Sequence, residues 1–138
     1  MKFLKTLCLA TALILTISAS HAREAVPIVN YDAIAINTAT GKTLTQADVK
    51  AAIIRAGSSQ GWVMSDIAQD QLTGTLQVRG KHTVVVTIRF SADKFSVAYK
   101  DSIDMKYAVF EGVPLIHPFY NKWVQTLINN IRIETQKL

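Results

Sequence analysis

Apolar side chains recur at helical spacing in two segments, one before and one after a stretch in which they alternate with polar ones. The apolar face of the first segment consists of Val49, Ala52, Ile53 and Ala56. This spacing predicts a helix from about residue 46 to residue 57. Thr45 is its predicted N-cap, because a threonine hydroxyl can accept a backbone N–H of the first turn. Gly57 is its predicted end.

The second helical segment lies close to the C-terminus and has the longer apolar face. Its members are Tyr120, Trp123, Val124, Leu127, Ile128 and Ile131. Pro118 suits the first helical position, where its missing N–H leaves no hydrogen bond unmade. The pattern predicts a C-terminal helix whose apolar face lies across a sheet.

Between the two helical segments the apolar residues alternate with polar ones. The inward-facing set is Trp62, Met64, Leu72, Leu76, Val78, Val84, Val86, Ile88, Phe90, Phe95, Val97 and Tyr99. Short turns at 68–70, 80–81 and 91–94 separate four strands, which predicts an antiparallel meander with one buried face. The expected fold class is therefore α+β: a helix, a four-stranded antiparallel meander and a C-terminal helix packed on one sheet face.

The first 22 residues have the features of a cleavable signal peptide. Lys2 and Lys5 precede an uncharged apolar stretch over residues 7–17, and Ser20-His21-Ala22 follows as a cleavage site. That stretch is too short to span a bilayer, which takes about 20 residues. We expect cleavage after Ala22, an extended segment over residues 23–40 and one α+β domain over residues 41–138. The expected location is periplasmic or secreted, with no transmembrane span after cleavage.

Composition excludes several function classes for the exported chain. The single cysteine, Cys8, lies inside the predicted signal peptide. Disulfides, thiol catalysis and cysteine-based metal sites are therefore not expected. The full chain has 15 basic and 10 acidic residues. Removal of Lys2 and Lys5 lowers the net charge from +5 to about +3, too weak a basic bias for a nucleic-acid binder. The charge suits an envelope protein, an anionic lipid or a cell-wall polymer as partner.

No motif for a metal, a cofactor or a hydrolase nucleophile is present. After signal removal the histidines are His82 and His117, without the spacing of a metal site. His82 faces the same side of its predicted strand as Val84 and Val86, which places its side chain at the edge of the core. No glycine-rich phosphate loop and no glycine-flanked serine elbow occur. We expect neither a metal nor a cofactor.

The candidate binding residues fall into two groups. The polar face of the predicted sheet carries Arg79, Arg89 and Lys100, which suit an anionic polymer or head group. The second group lies near the end of the sheet and the start of the last helix: Asp101, His117, Tyr120 and Asn121. A structural interpretation competes for each group, because a one-sided sheet needs a polar outer face, Asp101 suits a turn, and Tyr120 suits the core.

Several local segments together carry a resemblance to a known family. They are Leu44-Thr45, Gly57, Gly61-Trp62, Leu76-Gln77-Val78-Arg79, Val86-Thr87-Ile88-Arg89-Phe90, Tyr99-Lys100-Asp101-Ser102 and residues 116–123, IHPFYNKW. Over residues 41–133 the chain resembles a family of small, uncharacterised proteobacterial envelope proteins, many of them lipoproteins. The resemblance implies an envelope location and an α+β fold, and it implies no activity. The chain differs from those lipoproteins because it has no cysteine at the cleavage site.

These observations predict an exported, non-enzymatic binding or accessory module. The alternative is a small periplasmic hydrolase or transferase that uses His117 with Asp101 and Tyr120. A third hypothesis is an inhibitor or accessory subunit of an exported enzyme. It requires an exposed apolar patch, for which the loop over residues 108–115 is the candidate.

Overall fold

The computed structural model describes residues 23–138, so the predicted signal peptide over residues 1–22 lies outside the described part of the chain. The elements are β1 (Val26–Pro27), β2 (Tyr31–Ala35), α1 (Gln46–Ser59), β3 (Trp62–Ala68), β4 (Gln71–Val78), β5 (His82–Phe90), β6 (Lys94–Ile103), β7 (Ala108–Phe110), β8 (Val113–Ile116) and α2 (Phe119–Gln136). The fold is α+β, with two helices and antiparallel sheets.

The larger sheet has five strands in the order β2-β6-β5-β4-β3. Strands β3 to β6 are consecutive antiparallel neighbours, as the alternating sequence pattern predicts. The four-stranded description was incomplete, because β2 adds a fifth strand beside β6. Its pairing shifts register between Tyr31 and Ile34, and Ala33 has a φ of 48°. This irregularity breaks the period of two by which a strand is recognised in sequence.

A second, three-stranded sheet has the order β1-β8-β7 and was not predicted. Pro114 lies inside β8, in the segment predicted as a loop. Its pairing partner is Val109 of β7, whereas the β1 pairing ends at Leu115, and its carbonyl accepts the backbone N–H of Ile28 at 3.0 Å. Glu111 and Gly112 form the two-residue turn between β7 and β8, with φ of 49° and 77°. Two consecutive positive φ values are those of a type I′ hairpin turn.

Both helices pack on one face of the five-stranded sheet, called the inner face here, as predicted for the C-terminal helix. Ion pairing between Arg55 of α1 and Glu134 of α2, 3.1 Å apart, links the two helices. The largest fully buried side chains come from helices, sheet and connecting segments: Tyr120, Phe95, Ile53, Leu72, Ile88, Met105, Ile116, Leu127, Ile128 and Ile131. Fully burying an aliphatic or aromatic side chain of this size stabilises the fold by about 1.5–3 kcal/mol.

The start of α1 agrees with the prediction, and its end does not. The Thr45 hydroxyl accepts the backbone N–H of Asp48 at 3.1 Å, and the Asp48 carboxylate accepts the backbone N–H of Thr45 at 2.9 Å. The helix continues past Gly57 to Ser59. Gly57 lies where a Cβ would overlap the Cε of Met64 on β3. This glycine therefore serves the close approach of α1 to the sheet rather than ending the helix.

The opposite, outer face of the five-stranded sheet carries mostly small polar side chains. They come from β4, β5 and β6 and include Thr73, Thr75, Thr83, Thr87 and Ser96. No helix within residues 23–138 is long and apolar enough to cross a membrane.

Candidate functional site

His117 lies between β8 and α2 and is half-buried. Its Nδ1 accepts the backbone N–H of Phe119 at 3.2 Å, so the neutral imidazole carries its proton on Nε2. Burial lowers the pKa of His117, and the positive charge of Lys106, the His82 ring and the charge of Arg23 lower the pKa further. The imidazole is therefore held in its neutral form more firmly than an exposed histidine.

Two cations lie over the aromatic ring next to His117, and a third bonds to the backbone of one of them. The Arg23 guanidinium lies 4.6 Å from the centre of the Phe119 ring, and the Lys122 ammonium lies 5.7 Å from it. The Lys106 ammonium donates to the carbonyl of Arg23 at 3.4 Å. Arg23, Lys106 and Lys122 are called the basic cluster below. Within residues 23–138, none of the ion pairs involves a member of this cluster.

His82 is brought close to His117 by the fold, although 35 residues separate them in sequence. The ring centres are 6.3 Å apart, and His82 Nδ1 lies 2.8 Å from the backbone carbonyl of Asp104. Since a carbonyl only accepts, Nδ1 of His82 is the donor. No group of three or more histidine, cysteine, aspartate or glutamate side chains suited to a metal ion occurs in the described range.

Tyr120 and Asn121 have structural positions at the start of α2. Tyr120 is fully buried, and its ring packs edge-on against Tyr99 at 5.5 Å. Burial raises the pKa of Tyr120 far above its usual range. The Asn121 side chain accepts from the backbone of Val29 and donates to the carbonyl of Pro27, so it attaches the N-terminal segment to α2.

Asp101 does not share a site with Tyr120. It lies opposite Val85, whose side chain belongs to the outer face of the five-stranded sheet, whereas Tyr120 is buried beneath the inner face. The Asp101 carboxylate accepts the neighbouring backbone N–H of Ser102 at 2.8 Å. A register shift between Val85 and Val86 places Lys100 in a bulge beside it.

The three basic residues predicted for the sheet do not form one cluster. Arg79 lies in the β4–β5 turn with a φ of 55°, and Arg89 lies at the other end of β5. The β4–β5 pairing runs from Val78–His82 to Gln71–Arg89, a length of seven residues or about 24 Å. The Lys100 ammonium crosses the outer face and donates to the Thr73 hydroxyl at 3.2 Å.

Arg89 lines an open cavity of about 330 Å³ at the edge of the five-stranded sheet. Asp32, Asp70 and Lys94 are also part of the wall, so charges of both signs face the same space. The Ser96 hydroxyl donates to the Asp32 carboxylate at 2.7 Å and accepts the backbone N–H of Ala33 at 3.0 Å. These bonds hold the bulged part of β2 on β6.

The β7–β8 hairpin, residues 108–116, exposes several large apolar side chains. Phe110 is 63% exposed and Val109 61% exposed, and Val113 on the paired strand is 44% exposed. Phe110 lies opposite Val113 on one face, and Val109 lies opposite Pro114 on the other. Sequence analysis singled out this segment as a loop. The turn residues Glu111-Gly112 between two short apolar runs were the signal for a hairpin.

A scan against protein-family models, a search of curated proteins and a search of solved structures found no match to this chain.

Proposed function

We propose that this protein is an exported, non-enzymatic binding or accessory module of the bacterial cell envelope, and that its contact surface is the β7–β8 hairpin. The observation that carries the proposal is the exposure of Val109 and Phe110 on opposite faces of this hairpin. The sequence resemblance to small envelope proteins and the features of residues 1–22 support the location.

An apolar hairpin exposed on both faces costs free energy in water, because each large apolar side chain loses the benefit of burial. Contiguous apolar patches on a protein surface commonly mark sites of interaction. The patch involves Phe110, Val109, Val113 and Pro114, and Tyr107, which precedes β7 in the chain, is also exposed.

The geometry supports a binding module better than the hydrolase or transferase alternative. That alternative needs His117, Asp101 and Tyr120 around one cleft. Tyr120 is fully buried, and Asp101 lies on the outer face of the sheet. The lowered pKa of His117 is explained by burial and by adjacent cations, without a carboxylate that would orient the ring for catalysis.

Export is tested by expressing the full chain with a C-terminal tag in a proteobacterial host. We expect the protein in the envelope or periplasmic fraction, with Arg23 as its first residue by intact mass. A product that retains residues 1–22 in the cytoplasm would contradict the proposed location.

The contact surface is tested by capture of envelope components with the tagged protein from sonicated envelope fractions prepared without detergent. The hairpin variant combines Val109→Ser and Phe110→Ser. The matched control is Val63→Ser, because Val63 is 65% exposed on β3 of the other sheet. We expect the wild type and the control to retain the same bound component. The hairpin variant should retain at most 10% of it, which corresponds to about a tenfold loss of affinity.

Equal retention by all three proteins would contradict the proposed surface. Circular dichroism and urea unfolding of each variant show whether it is folded, and we expect little change because the substituted side chains are exposed.

A further inference from the structure

We infer that the β7–β8 hairpin and the basic cluster at its base dock together on an anionic lipid bilayer. This inference rests on the proposed function and names the partner of the same surface. The hairpin supplies the apolar contact, and Arg23, Lys106 and Lys122 supply the positive charge.

The distribution of apolar side chains favours lipid over a protein partner. Phe110 and Val113 occupy one face of the hairpin, and Val109 and Pro114 occupy the other. β7 is the outer strand of its sheet, and its free backbone N–H and C=O groups require that this edge stay at the level of the head groups and water, because hydrocarbon cannot pair them. A flat protein surface would cover one of these faces and leave the other in water. The headgroup and acyl boundary of a bilayer surrounds an inserted segment on all sides.

The cations lie at a depth that suits lipid phosphates. Phe110 follows Lys106 by four residues, so their Cα atoms lie at most about 13 Å apart. Apolar segments of interfacial proteins penetrate about 5–10 Å, which would leave the cluster at the level of the head groups. Phe119, Trp123 and Tyr107 lie in the same region, and aromatic side chains are enriched at membrane interfaces.

The acidic residues near this surface are few. Between residues 105 and 133 the sequence contains one, Glu111, in the turn of the hairpin. Glu24 follows Arg23 directly and Asp104 precedes Lys106 by two residues, and both are exposed. Because Glu111 lies at the tip of the hairpin, its carboxylate would come close to the anionic lipids and repel them. Its replacement by glutamine should strengthen docking.

The test is co-flotation of the purified exported protein with vesicles of phosphatidylcholine, with and without 30% phosphatidylglycerol, at 50 and 300 mM NaCl. We expect retention on the anionic vesicles at low salt and a clear loss at high salt. The hairpin variant Val109→Ser with Phe110→Ser should reduce the partition coefficient at least tenfold. Glu111→Gln should increase it several-fold.

Two double variants with equal charge changes test which cations matter. Lys106→Gln with Lys122→Gln removes two members of the basic cluster, and Arg89→Gln with Lys100→Gln removes two cations from the outer sheet face. Each cation near an anionic membrane contributes about a fivefold change in partition. We therefore expect roughly a 25-fold loss for the cluster variant and a much smaller loss for the sheet variant.

A tryptophan introduced into the hairpin gives a second measurement that does not depend on loss of binding. Emission of Phe110→Trp should shift to shorter wavelength on anionic vesicles, whereas that of Val63→Trp should not. The same vesicles without phosphatidylglycerol should leave both spectra unchanged.

Several outcomes would overturn the inference. Absence of wild-type flotation, or equal flotation of the hairpin and control variants, excludes docking through this surface. If envelope capture depends on the hairpin but vesicles are not bound, the partner is a protein, and only the lipid inference fails. A concentration-dependent dimer that the hairpin variant converts to a monomer would identify a second copy as the occupant instead.

Discussion

The side-chain oxygen of Asn121 accepts the backbone N–H of Val29 at 3.1 Å, across 92 residues of sequence. The side-chain nitrogen of the same asparagine donates to the Pro27 carbonyl at 3.0 Å. One amide thus satisfies two backbone groups, one in the last residue of β1 and one between β1 and β2. This pair of bonds attaches the N-terminal segment to α2, and short pairings with β8 and β6 attach it to the two sheets.

We expect Asn121→Ala to lower the free energy of unfolding by about 1–3 kcal/mol, since two hydrogen bonds that each contribute about 0.5–1.5 kcal/mol net are lost. Hydrogen exchange at the Val29 amide should accelerate more than exchange in β5. Asn129→Ala on the exposed face of α2 is the control, because Asn129 bonds only with Gln125 within the helix. Equal losses in both variants would contradict the role of Asn121.

Tyr120→Phe is expected to stabilise the protein by about 1 kcal/mol. The Tyr120 hydroxyl is buried and has no hydrogen-bond partner within residues 23–138. Removing an unsatisfied buried hydroxyl relieves its desolvation cost and keeps the ring contact with Tyr99. Urea unfolding of the two proteins measures the difference. A loss of stability above 1 kcal/mol would show that the hydroxyl has a partner, such as a buried water.

Gly74→Ala should lower the free energy of unfolding by about 1–3 kcal/mol, as overpacking of a core does. A Cβ at this position of β4 would lie 3.2 Å from Cγ2 of Val86 and 3.3 Å from both Sδ of Met64 and Cε3 of Trp62. Met64 and Trp62 lie on β3 and Val86 lies on β5, so side chains on both neighbouring strands would have to move.

Gly57→Ala is the comparison for Gly74→Ala, because its Cβ also meets Met64. There the contact is with the flexible end of the side chain, and alanine is favoured over glycine in a helix by about 1 kcal/mol. We expect a smaller effect than at Gly74. A larger loss at Gly57 would mean that Met64 has no alternative conformation.

Stability should decrease as the pH is lowered through about 6.5, the ordinary pKa of histidine. The pKa of His117 is lowered in the folded state, so the unfolded chain takes up this proton first and is favoured as the pH falls. The stability that neutral His117 contributes is fully present above this pH. It is lost progressively as the pH falls to the pKa of His117 in the folded state.

The measurement is urea unfolding between pH 7.5 and 5.5 for the wild type and His117→Asn, in which the amide oxygen can still accept the N–H of Phe119. We expect a weaker pH dependence in the variant. The carboxyl groups of Asp48 and Glu134, whose pKa values are also lowered, affect stability only at lower pH. An unchanged slope between pH 7.5 and 5.5 would contradict the assignment to His117.

Sequence periodicity determined the elements with strong local signals. The helices at Gln46–Ser59 and Phe119–Gln136 and the four strands from Trp62 to Ile103 all have enough residues for a helical or alternating pattern to be recognised. The N-cap Thr45 was also predictable, because capping depends on residues within one turn. The C-terminal helix was correctly placed on the sheet, since the apolar face of an antiparallel sheet of this kind must be covered by another element.

The tertiary structure alone decided how the second sheet is completed and what surrounds His117. The β7–β8 hairpin had a local turn signal, but β1 has two residues, too few for a pattern, and its pairing with β8 joins segments about 90 residues apart. The basic cluster brings Arg23 from the N-terminal segment to Lys106 and Lys122. Local sequence determines conformation where neighbours along the chain interact, whereas these contacts exist only after the sheet and α2 have packed. The exposed hairpin and the cations beside it are therefore properties of the fold.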